Sequence, residues 1–420
     1  MRRFRGTDPR VLVGVMRWSG VAGVLAGAAL AASCTDVPDG SEALGMAGTA
    51  PRSAVVLPGP DPAPGAATPV RPPPSWGLDS VLLDTAYARA AQMPRLYSLL
   101  VARHGELERE AYFNGAGPRR IANIKSASKA VVSTLVGIAI DEGHLEGLDQ
   151  PVLDLLPEYR GVNGDPRLES VTLGDLLGMT AGLQSTSGRN YGGWVASRDW
   201  VRDALGRPFA EEPGGRMVYS TGNTHLLSAI LTRATGESTL AYARRALFQP
   251  LGITLSPWTR DPQGIYLGGN EMGLLPREML IYGELYRNEG IHEGRRLVAS
   301  DWISESWTQR GTSRFNGHGH GLGWWIREYA GYDVFFAWGH GGQYIFLVPD
   351  LELTVVTTSN PAGGRSGAPT RALHDLLEQV LIPAAELGAF RALGAHGDSA
   401  VRVTRSPTYR ASDEPGWPPA

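Results

Sequence analysis

Residues 123–140 read NIKSASKAVVSTLVGIAI, and this stretch decides the fold. It holds the two lysines of the chain, Lys125 and Lys129, against 37 arginines. An arginine cannot release its proton at ordinary pH, whereas a buried lysine can. The chain therefore keeps its lysine amines within three residues of Ser126. From Ser126 onward the residues are good helix formers, apolar almost all round, with a stop signal at Gly143. That pattern predicts a buried central helix with Ser126 in its first turn. Positions three apart share a face, so the Lys129 amine can lie beside the Ser126 hydroxyl. A helix N-terminus adds unpaired N–H groups and partial positive charge at the same place. Burial and that field both disfavour an ammonium, which makes Lys129 a base for the Ser126 proton. The Ser126 N–H is then a natural half of an oxyanion hole. Ser-x-x-Lys also recurs by chance, and the competing reading of Lys129 is a structural lysine in a core helix.

Two further elements weigh against chance. Tyr219-Ser220-Thr221-Gly222-Asn223 opens an apolar helix-like run, HLLSAILTRATG. Trp338-Gly339-His340-Gly341-Gly342-Gln343 lies between the strand-like runs YDVFFAW and YIFLVP. Around them stand VTLGDLLGMTAGL (171–183), GGNEMGLLPREMLIYGELYRNEG (268–290) and GLGWW (321–325). In content and order this set resembles the serine β-lactamase-like superfamily, in its class C β-lactamase-related branch, over roughly residues 80–385. That branch includes carboxylesterases, D-aminopeptidases, D,D-peptidases and proteins like 6-aminohexanoate-dimer hydrolase. The resemblance implies an α/β (α+β) fold, an antiparallel sheet flanked by helices with an inserted helical domain.

It also implies roles. Ser126 matches the acylated nucleophile, Lys129 the base, and Tyr219 the tyrosine that passes a proton between nucleophile, lysine and leaving group. The chain departs from the family's Tyr-x-Asn element, because Thr221 replaces the asparagine that helps β-lactamases hold a substrate amide. The third element departs too, and two registers are open. His340-Gly341-Gly342 as the strand triplet leaves no residues for a turn before YIFLVP. Ala337-Trp338-Gly339 as the triplet leaves His340-Gly341-Gly342 to turn, as paired glycines suit. The second register is preferred; it makes the His340 N–H the other oxyanion donor and puts no lysine where a substrate carboxylate would sit. Esters or amides are then expected over penicillins and acidic peptides.

Tyr191, Trp194, Asn223 and Gly339 are the candidate substrate-contacting residues, with core packing the alternative for the aromatic pair and for Trp324-Trp325. Tyr219 has a plainer reading as a core tyrosine at a helix start. Lys125 is expected to make a structural polar contact. His340 invites a Ser-His-Asp reading, but no Gly-x-Ser-x-Gly elbow occurs in the chain. His318-Gly319-His320 looks like a metal pair, yet it stands in a glycine-rich loop without a third ligand nearby. No metal and no organic cofactor is implied.

Composition fits one large domain: 420 residues, 42% hydrophobic, net charge −3 and no basic run, which leaves nucleic-acid binding without a footprint. MRRFR followed by an apolar run and Cys34, the one cysteine, resembles a lipoprotein signal over 1–33. An ordinary secretory signal is the alternative. Residues 34–75 read as a linker with nine prolines after position 50, able to hold a domain up to about 75 Å from an anchor. After it the folded domain is expected over 76–390, with the helical insert at about 150–265 and an unpacked tail at 391–420. RLYSLLVARHGELEREAYFNG (95–115) reads as a hairpin turning at His104-Gly105, 334–360 as strands and 369–388 as a closing helix.

The sequence thus points to an exported serine hydrolase of the cell envelope, held to the membrane by a lipid on Cys34 and acting on a small ester or amide. A D,D-peptidase or weak β-lactamase is the second reading. A catalytically silent binding or sensor lipoprotein of the same fold is the third. The oligomeric state is not readable.

Overall fold

The computed structural model describes residues 77–362 and 368–394. The expected signal segment, Cys34, the linker to position 75 and the tail beyond Gly394 lie outside the described residues. Among the described residues no helix is long and apolar enough to cross a membrane.

Strand chemistry builds the centre. An eight-stranded antiparallel sheet runs, in spatial order, Glu106–Tyr112, Leu96–Arg103, Leu353–Ser359, Gln343–Val348, Tyr332–Gly339, Trp325–Tyr329, Gly319–His320 and Gly311–Thr312. Successive side chains of a strand point to opposite faces, so a strand buried on both faces reads as an unbroken apolar run. YIFLV is such a run. Tyr344, Phe346 and Val348 join Leu99, Val101 and Val355 on one face, under helix Ser80–Ala91 and the C-terminal helices. Ile345 and Leu347 join Leu100, Ala102 and Val356 on the other, against helices Ser128–Asp141 and Pro276–Arg287, with helix Thr221–Thr235 packed on the first of these. Each fully buried leucine or phenylalanine contributes about 1.5–3 kcal/mol, so both layers are needed to hold the sheet.

The hairpin at 95–115 forms as expected, with His104 at φ 52° and Gly105 at φ 82°, the left-handed pair that a two-residue turn requires. The strands at 334–360 also form. The closing helix is longer than expected: helical turns run from Ala368 to Gly394, which carries the fold four residues past the expected boundary at 390. Residues 150–265 contain helices and turns and contribute no strand to the sheet. Among them, Thr172 caps helix Leu173–Gly178 in a reciprocal box with Asp175.

The central helix starts differently from the expectation. Lys125–Ala127 form a 3-10 turn that runs straight into the α-helix Ser128–Asp141. Lys125 has φ 57°, and its N–H donates to Asn123 Oδ1 at 3.0 Å. That local side-chain bond holds the chain out of the α-helix for one turn. Ser126 thus stands in the turn before the helix, at the N-terminal end of one helical run.

Candidate active site

Besides the segment that carries Tyr219 and Thr221, three segments converge on Ser126. The first is its own turn. The second is the end of strand Tyr332–Gly339, where Gly339 lies so close that a Cβ would collide with the Ile124 carbonyl oxygen. Gly339 pairs with Gln343, and His340-Gly341-Gly342 make the turn with φ 86° and 104° at the two glycines. The turn is held by Thr357, whose hydroxyl donates to the Gly342 carbonyl at 3.0 Å. His340 itself is exposed in this turn. The third segment is Gly268–Leu274. It is tied to the Ser126 loop by the ribbon pairing Ala122 with Leu274 and Asn123 with Gly273.

At the bottom of this convergence lies Lys129, 2% exposed, while Ser126 and Tyr219 above it remain partly accessible. The Lys129 Nζ is 3.4 Å from Ser126 Oγ, 3.4 Å from Thr221 Oγ1 and 2.7 Å from the Gly269 carbonyl. A Cβ on Gly269 would stand 3.0 Å from that amine, so a glycine is what lets this carbonyl reach it. The ring face of Tyr219 lies 5.1 Å from the same nitrogen. Ser126 lies near enough to its phenol to act on the phenol's titration.

Burial sets the protonation states. It pushes the Lys129 ammonium down to about 7, with no carboxylate to oppose it. It pushes the Tyr219 phenol up to about 12, offset in part by Ser126. Buried His320 meets the Tyr219 ring edge-on at 6.5 Å. Burial first, and the nearby Lys129 charge second, press the His320 imidazolium down to about 3. Near pH 7 the amine alone of these three is poised to exchange its proton. A hydroxyl beside such an amine can be deprotonated as it attacks a carbonyl.

Residues 90–379 match the family model described as Beta-lactamase. The chain belongs to the beta-lactamase family. Within this family it is similar to the 6-aminohexanoate-dimer hydrolase of Paenarthrobacter ureafaciens, 26% identical over 288 residues that cover 63% of this chain and 72% of the relative. It is similar to esterase EstB of Burkholderia gladioli as well, 29% identical over 213 residues, 43% of this chain and 53% of the relative. The fold is shared with a penicillin-binding protein homologue from Caulobacter crescentus, at TM-score 0.58 and 18% identity over 76% of this chain and 98% of the other. The chain is accordingly a serine hydrolase of the beta-lactamase family, with the antiparallel sheet and flanking helices that membership entails.

Other candidates separate into lip and interior. Lys125 pairs with Glu271 at 3.1 Å, and Glu271 also accepts from Asn123 Nδ2 at 2.6 Å. Tyr191 is half-buried, and its phenol accepts from Asn270 Nδ2 at 3.0 Å beside that lip. Trp194 does not line a cleft. It is fully buried, its indole N–H donates to the Trp200 carbonyl at 2.9 Å, and its ring packs on His225. Asn223, 4% exposed in the first turn of helix Thr221–Thr235, is interior too. Ser187, Gly269, Glu271 and His320 carry no motif that ties them to Ser126. Gly269 and Glu271 stand in a quoted block and His320 in a quoted pair, but no spacing rule linked them to Ser126.

Proposed function

We propose that this beta-lactamase family member is an exported esterase that forms an acyl-enzyme on Ser126 and turns over β-lactams poorly. The carrying observation is the 3.4 Å approach of Lys129 to Ser126 in a pocket that holds the amine near 7 without a counter-ion. Ser126 Oγ attacks the ester carbonyl while its proton moves to the Lys129 Nζ. The N–H groups of Ser126 and His340 hold the oxyanion, a role that suits a strand end brought against the Ile124 carbonyl by Gly339. Collapse expels the alkoxide, which takes a proton through the Tyr219 phenol. That phenol stays protonated at neutral pH, so it conducts the proton and Lys129 acts as the base. Water then enters, gives its proton back along the same path and releases the acid.

Two features favour simple esters. Thr221 stands where the family carries an asparagine, and its hydroxyl is engaged with Lys129 and Ser187. The chain also has no third lysine to meet a substrate carboxylate. Short amides, as in the relative named for the 6-aminohexanoate dimer, are the second substrate class. A panel of p-nitrophenyl esters, nitrocefin and short amide oligomers tests the reading, with ester turnover far above nitrocefin expected. Failure of a fluorophosphonate to label the protein would leave a silent binding module instead.

Export is part of the same proposal, resting on the sequence around Cys34. In a bacterium the wild type is expected to incorporate labelled fatty acid and Cys34→Ser is not. A free, unlipidated product with its mature end elsewhere would mean an ordinary secretory signal.

A further inference from the structure

Ser187 belongs to no motif, yet it touches the machinery through one intermediary. Its Oγ is 2.9 Å from Thr221 Oγ1 and accepts the Thr221 backbone N–H at 2.8 Å. Thr221 Oγ1 in turn lies 3.4 Å from the Lys129 Nζ. Donor counting leaves one direction forced and two arrangements for Thr221. A neutral amine has two N–H donors and one lone pair. The Gly269 carbonyl can only accept, so at 2.7 Å it takes the first N–H. If Thr221 accepts the second, its own hydroxyl proton is free to point at Ser187 Oγ, and the lone pair is left for the Ser126 hydroxyl. If Thr221 donated to the amine instead, it would occupy that lone pair and block the transfer.

We propose that Ser187 is a positioning residue that, through Thr221, holds the Lys129 amine with its lone pair on Ser126. This rests on the acyl-serine reading above and adds the group that orients its base. The arrangement serves both protonation states. Once the Ser126 proton has moved to Lys129, the ammonium has three N–H donors. They face the Gly269 carbonyl, Thr221 Oγ1 and the Ser126 oxygen, and no group has to turn. Ser187 is half-exposed, and its side chain makes no cap bond to the 3-10 turn that follows it, so its geometry is not claimed by that turn.

The competing explanation is a helix cap. Helix Thr221–Thr235 receives no cap from its own Ser220, and its first two N–H groups are met by Ser187 Oγ and by Thr186 Oγ1, the latter at 2.7 Å. Thr221→Val separates the two explanations, because it keeps the backbone bond to Ser187 and removes only the hydroxyl. The groups facing Lys129 that bear on a pH profile are Tyr219, His320 on its own strand, and the Lys125–Glu271 pair at the lip.

The experiment is a kcat and KM pH profile on a p-nitrophenyl ester for wild type, Thr221→Val, Thr221→Ser, Ser187→Ala and Ser187→Thr, with melting temperatures alongside. Thr221→Val is expected to lower kcat about tenfold, the loss of one hydrogen bond to a reacting group, with KM unchanged. Its acid limb should move to lower pH, since the ammonium has lost an acceptor and Lys129 gives up its proton more readily. Ser187→Ala should shift the limb the same way, while Thr221→Ser and Ser187→Thr stay close to wild type. A Thr221→Val enzyme with unchanged kcat and limb would overturn the proposal, as would a Ser187→Ala enzyme that loses melting temperature only. If the wild type takes no fluorophosphonate on Ser126, the underlying acyl-serine reading fails instead.

Discussion

The floor and the lip of this site each hold one lysine, and the two have opposite fates. Lys129 at the floor is 2% exposed and bonds only to uncharged oxygens of Ser126, Thr221 and Gly269. Lys125 at the lip keeps 22% of its side-chain surface and faces the Glu271 carboxylate. Desolvation without a counter-ion drives the first toward neutrality. The second instead meets a carboxylate that also holds Asn123, and so ties two loops together. The two lysines stand four positions apart in sequence, and the difference lies in what surrounds each amine.

The sharpest break is at the hydroxyl between them. Ser126→Ala removes the group that both the floor and the lip serve, and ester turnover is expected to fall to background in a steady-state assay. Residual turnover at the wild-type rate would move the nucleophile elsewhere.

The next test sets one lysine against the other. Lys129→Arg keeps a charge at every accessible pH, and at least about 10²-fold loss in kcat is expected. Lys125→Arg can still meet Glu271 and should cost far less. Equal losses in parallel assays would erase the distinction between floor and lip.

Stability should move the other way at the floor. A folded-state value near 7 against about 10.4 in the unfolded chain means that folding expels a proton from Lys129. Below about pH 7 the penalty is full, it shrinks as pH rises toward the unfolded value, and above that it is gone. Lys129→Met is therefore expected to stabilise the protein by on the order of a few kcal/mol at neutral pH, and by much less near pH 10. Urea melts at both pH values check it, and a Lys129→Met protein less stable at neutral pH would contradict it.

The smallest effect belongs to the lip. Glu271→Gln breaks a partly exposed ion pair worth about 1 kcal/mol or less, and keeps a group that can still meet Asn123. A several-fold rise in KM with little change in kcat is expected. A kcat loss as large as that of Lys129→Arg would mean the lip takes part in chemistry.

What the sequence made legible follows the range of the interactions. The His104-Gly105 hairpin, the strands around the third motif and the buried helix after Ser126 rest on local turn chemistry and apolar periodicity, and each forms. The start of that helix was misjudged because Lys125 adopts φ 57° under the pull of Asn123, a local bond that propensity does not reveal. For Trp194 the sequence leaves cleft lining and core packing both open, because its ring is enclosed by Trp200 and by His225 from elsewhere in the chain. Ser187 and Gly269 were out of reach, since each meets the site only through a contact spanning more than thirty residues.

The most direct test is the rate of Ser126 acylation by a fluorophosphonate as a function of pH, with the adduct located by peptide mass mapping. A single label on Ser126 is expected, at a rate that rises through a midpoint near 7 as Lys129 loses its proton, with Lys129→Arg slow throughout. A label on another residue, or a rate that is flat from about pH 5 to about pH 9 in the wild type, would contradict this.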